Sequence, residues 1–103
     1  MKFNAQCKAE IDSMNSEELR AYVDFLIIEI ERHSDEVHSL LEDNLDNRKC
    51  IAETTSFGED ATYLLTTIKL NQSAIYRHRQ DIAGTRECIL RAEDRMDLLR
   101  GEQ

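Results

Sequence analysis

Two long apolar series organise the chain. The first runs Leu19, Val23, Leu26, Ile30, His33, Val37, Leu40, Asn44 in alternating steps of four and three. That spacing keeps one helix face against a partner helix, so it predicts a helix over residues 16–46. Its start is signalled twice. Asn15 and Glu18 form a capping-box pair, and Met14 and Leu19 occupy the two positions of a hydrophobic staple. The second series, Ala61, Ile68, Ile75, Ile82, Ile89 and Met96, places one apolar residue every seven. Its companion line is Leu64, Asn71, His78, Thr85, Ala92, Leu99, apolar at both ends and polar in the middle. Together they predict a helix over 57–100, about 65 Å long at 1.5 Å per residue. Ser56 and Glu59 read as its capping box, and Gly84 is its candidate kink.

Shorter signals complete the plan. Phe3, Cys7 and Ile11, at i, i+4 and i+8, predict a short helix within residues 1–13. Between the long helices, Asn47 and the run Thr54-Thr-Ser-Phe-Gly58 are turn formers, so residues 47–56 are expected to be a connection. The fold class is therefore all-α: a long, coiled-coil-like helical hairpin with a short N-terminal helix folded on one end. With 103 residues, the chain has room for a single domain, 1–103.

One stretch does not fit a lone hairpin. Residues 22–28, Tyr-Val-Asp-Phe-Leu-Ile-Ile, are apolar nearly all round the helix. Tyr22, Phe25, Ile27 and Ile28 cannot all face one partner helix. They are the expected interface of a homodimer that completes a four-helix bundle. The competing expectation is that the short first helix covers Phe25 and Ile28 within one chain.

Charge narrows the kind of work. The formal net charge is −8, and it lies wholly in the first half: residues 1–46 hold twelve acids and four bases, the remainder nine of each. Such a surface repels phosphates, so direct nucleic-acid binding is not expected, and a basic protein is the favoured partner. The acids recur every seven residues in two lines, Glu17, Asp24, Glu31 and Glu29, Glu36, Asp43. They have three readings: a solvated flank paired with Arg79, Arg86 and Arg100, a docking face for a basic protein, or an imitation of a phosphate backbone.

Other chemistry finds no support. Cys7, Cys50 and Cys88 are three isolated cysteines with no Cys-x-x-Cys pair, which fits reduced thiols in a cytoplasmic protein. No apolar run approaches the roughly 20 residues of a membrane span, and the first residues lack the apolar core of a secretory signal. His38 and Asp35 have the i, i+3 spacing of a metal half-site, but His78 has Ile75 at that spacing, and His38 lies off the seam where a symmetric dimer would supply the second half, so no metal and no cofactor is expected. Gly58, Gly84 and Gly101 stand alone rather than in a phosphate loop. No nucleophile has a base in reach, so no catalytic residue is assigned. His33 and His78 lie on the two seams and read as polar core layers, or alternatively as proton-sensitive contacts.

Two segments, Leu19-Arg-Ala-Tyr-Val-Asp-Phe-Leu26 and Gly58-Glu-Asp-Ala-Thr-Tyr63, resemble parts of the hairpin of Gre-type transcript-cleavage factors. Those proteins insert a helical hairpin into the RNA polymerase secondary channel and present metal-holding acids at its tip. The resemblance covers less than a fifth of the chain. It matches Glu59 to one tip acid and puts Ser56 where the other stands, which implies a channel binder without cleavage activity.

The expected function is thus non-enzymatic protein–protein interaction, as a small inhibitor or modulator. Its surfaces are the Tyr22, Phe25, Ile27, Ile28 belt and the acidic docking face of Glu17, Asp24, Glu29, Glu31, Glu36 and Asp43. The alternatives are an acidic nucleic-acid mimic that blocks a DNA- or RNA-binding protein, and a hairpin that binds RNA polymerase.

Overall fold

A computed structural model describes residues 5–101, with side chains from Ala9 onward. Three helices follow one another: α1 (Ala5–Ser13), α2 (Ser16–Ser56) and α3 (Thr62–Gly101). Among the described residues there is no strand. α2 and α3 lie antiparallel along almost their whole length, and α1 packs on α3. The result is a rod of 72 × 20 × 14 Å, with a radius of gyration of 20.2 Å. A compact domain of this size would have about 13 Å, so little of the molecule lies far from solvent.

Both apolar series turn inward. On α2, Leu19, Leu26, Val37 and Asn44 are buried, and Val23, Ile30, His33 and Leu40 are half-buried. Every member of the two predicted lines from Ala61 to Leu99 is buried or half-buried. The hairpin is deepest at the end α1 covers, where Ile11, Leu19 and Ala92 form the core and Met14, Tyr22, Val23, Met96 and Leu99 pack around it. Phe3 lies outside the described residues, as does the Cys7 side chain.

Asn15 begins α2 as its neighbours suggest. Its side chain accepts from the Glu18 N–H at 2.9 Å, and the Glu18 carboxylate accepts from the Asn15 N–H at 3.1 Å. The segment 47–56 departs from expectation, because it is helix rather than connection. The seam simply continues through it: Asn47, Ile51 and Thr54, at the same three-four spacing, are half-buried. Packing of that face outweighs the weak helix preference of Asn47, Thr54 and Thr55.

The second capping box also dissolves. Ser56 ends α2, its hydroxyl donating to the Glu53 carbonyl at 2.7 Å. α2 stops where Gly58 takes φ +77°, a left-handed conformation that suits glycine. The Glu59 N–H then reaches back to Thr54 O at 3.1 Å and the Gly58 N–H to Thr55 O at 3.0 Å, a Schellman pattern. α3 starts at Thr62 instead of residue 57, with the Asp60 carboxylate accepting from the Thr62 N–H at 2.9 Å and from its hydroxyl. Beyond that start α3 is unbroken through Gly84, which is buried.

Candidate interaction surface

Two polar layers set how the helices align. The Asn71 Nδ2 donates to Asn44 Oδ1 at 2.9 Å. The Nδ1 atoms of His33 and His78 lie 2.8 Å apart, ring centroids 5.0 Å and planes 54° apart. At that distance one Nδ1 donates and the other accepts. Sequence placed these four residues on seams. Their pairing across the hairpin depends on the loop and on the register it enforces.

The apolar belt divides because successive residues turn by about 100°. Tyr22 is half-buried against the α1 end of the core. Phe25 and Ile28, three residues apart, share a face turned away from α3 and are 55% and 60% exposed. Ile27, 44% exposed, lies on a different flank. α1 therefore leaves Phe25 and Ile28 uncovered, sitting instead over Leu19 and Ala92.

The acids surround that patch. Glu17, Asp24, Glu31, Glu36 and Asp43 are exposed. Glu29 is half-buried and accepts from Arg32 at 2.8 Å, a hydrogen bond that holds its carboxyl below the usual value. Arg100 pairs with Asp97 on its own helix at 3.9 Å. Among the described residues no ion pair joins Arg79, Arg86 or Arg100 to the α2 acid lines, so the solvated-flank expectation fails in its pairing scheme.

Arg79 and Arg86 instead rim a groove along one side of the hairpin. Two adjoining depressions share Arg79: one is floored by Val37 and Ile82, the other by Asn44 and Ile75. The groove also takes in His38, Leu41, Arg48 and Tyr76. Sequence reasoning missed this surface. The signal was present in the heptad line Leu65, Gln72, Arg79, Arg86 beside the α3 seam.

Other placements bear on chemistry. Among the described residues no three His, Cys, Asp or Glu side chains converge on a point where a metal ion would sit. Glu59 lies in the turn between the long helices and Ser56 at the end of α2. No described helix is long and apolar enough to cross a membrane. Against known proteins, no family model matches the chain, and neither a curated protein nor a solved structure does.

Proposed function

We propose that this protein is a non-enzymatic helical module that works by binding other proteins, as a small inhibitor or modulator, and that it self-associates. The observation that carries the reading is Phe25 and Ile28 standing more than half exposed on one face, bordered by exposed Asp24 and Glu31. An apolar centre with a charged rim is the usual anatomy of a binding surface. Covering the patch yields about 25 cal/mol per Å² of apolar area removed from water. The acids then select a basic partner and speed its approach. A homodimer is the simplest assembly that supplies the second layer a two-helix rod lacks.

The second reading is the nucleic-acid mimic. It is favoured by the line Glu17, Asp24, Glu31, every member of which is exposed and none joined to a described cation. Affinity capture with the purified chain at low and high salt separates the two. A partner kept at high salt and lost with Phe25→Ala supports the apolar surface. A nucleic-acid-binding partner released by salt, and competed by its own DNA or RNA, supports mimicry. If Phe25→Ala leaves partner binding unchanged, the apolar reading is wrong.

A further inference from the structure

The groove beside Arg79 and Arg86 is unusual on a chain of net charge −8. Three arginines, Arg48, Arg79 and Arg86, line its two depressions, and no acid does. All three are exposed. Pairing this groove with itself in a dimer would set arginine against arginine, so whatever fills it must bring carboxylates.

The chain carries a matching set. Asp24 and Glu31 are one heptad apart, as are Arg79 and Arg86, so each pair spans about 10.5 Å along its helix. We infer that the groove takes the Asp24–Glu31 line of α2 from a second copy of this chain, Asp24 meeting the second copy's Arg79 and Glu31 its Arg86. The inference rests on the self-association proposed above and places its contact on the Ile27 flank, which leaves the Phe25–Ile28 face open to another partner.

The geometry closes. Matching 24 to 79 and 31 to 86 sets α2 parallel to the second copy's α3, hence antiparallel to its α2. A two-fold axis perpendicular to the rod imposes the same arrangement. The His33–His78 contact fixes levels within one chain. By it, Arg79 stands beside about residue 32 of its own α2, and Arg86 beside about residue 25. Both pairings then put the axis at about residue 28. Ile27, exposed on the groove side and one heptad before the groove residue Ser34, is left to pack against its counterpart across the axis. The dimer so built is a four-helix assembly with two α2 helices side by side, each acid–arginine pairing made twice.

Sedimentation equilibrium on the full chain tests this through a charge swap, with circular dichroism confirming that each variant stays helical. Arg79→Glu with Arg86→Glu weakens dimerisation about tenfold or more, and Asp24→Arg with Glu31→Arg does the same. Combining all four substitutions restores the wild-type dissociation constant to within a few-fold. That rescue separates a direct pairing from a general effect of charge. If either double variant dimerises like wild type, or the four-fold variant is not rescued, the groove is not the contact. Loss of dimer with Phe25→Ala in that case leaves self-association standing on the apolar face alone. A wild-type chain that is monomeric at every concentration overturns this contact and the self-association reading together. A fluorescein-labelled oligonucleotide or polyglutamate peptide held by Arg79 and Arg86 more tightly than a second copy would also overturn it.

Discussion

The Asn44–Asn71 contact offers the sharpest test of how the hairpin is held. Asn44 is 1% exposed, and its Oδ1 receives the Asn71 amide at 2.9 Å. Asn44→Ala removes a hydrogen bond worth about 1 kcal/mol net and leaves a half-buried donor without an acceptor, which costs about another 1 kcal/mol. The total, about 2 kcal/mol, is a sizeable part of the 5–15 kcal/mol typical of a small domain. It corresponds to a fall of about 8–16 °C in Tm. Replacing both residues, Asn44→Leu with Asn71→Leu, substitutes an apolar layer and should return stability to wild type or above it. The doubly substituted hairpin should also align less uniquely, because nothing then distinguishes this heptad from its neighbours. Urea unfolding followed by helical circular dichroism, at one protein concentration for all variants, reads the energies. A coupling below about 0.5 kcal/mol in the double-mutant cycle would mean that the two amides do not act as a unit.

Two further outcomes follow from the turn. Gly58→Ala should lower stability by about 1 kcal/mol in the same unfolding assay. Nothing lies within 4 Å of the added Cβ, so the left-handed backbone is the whole cause; Gly58→Asn should cost less, and equal stability of the alanine variant would contradict the assigned turn. Hydrogen bonds from the Thr62 hydroxyl and N–H hold the Asp60 carboxyl below its usual value. A lowered carboxyl pKa stabilises the fold fully above the unfolded value, near pH 4, and loses that contribution as pH falls through the folded value. Asp60→Ala should therefore lower the urea midpoint at neutral pH and make little difference under strongly acidic conditions.

The sequence alone determined that the chain is helical and which faces of the long helices turn inward. The seam from Leu19 to Asn44 and the two lines from Ala61 to Leu99 are local patterns, because a helix repeats its face every three to four residues whatever it packs against. The Asn15–Glu18 cap was legible for the same reason. The end of α2 was misjudged where local and distant effects compete. Asn47, Thr54 and Thr55 favour a turn by themselves, but Ile51 and the continuing seam hold them in the helix once α3 lies alongside.

The candidate surfaces were half legible. The exposed Phe25 and Ile28 came from a belt too apolar for one partner, yet only packing showed that Tyr22 belongs to the core and Ile27 to another flank. Register was beyond the sequence altogether. Heptads look alike, so a slip by one heptad would preserve the apolar pattern while parting His33 from His78 and Asn44 from Asn71. The tertiary structure fixes that choice through the length of the turn at Gly58 and the matching of polar groups across the seam. The arginine groove arises the same way, because Arg79 and Arg86 acquire a floor of Val37 and Ile82 only when α2 and α3 are set at this level.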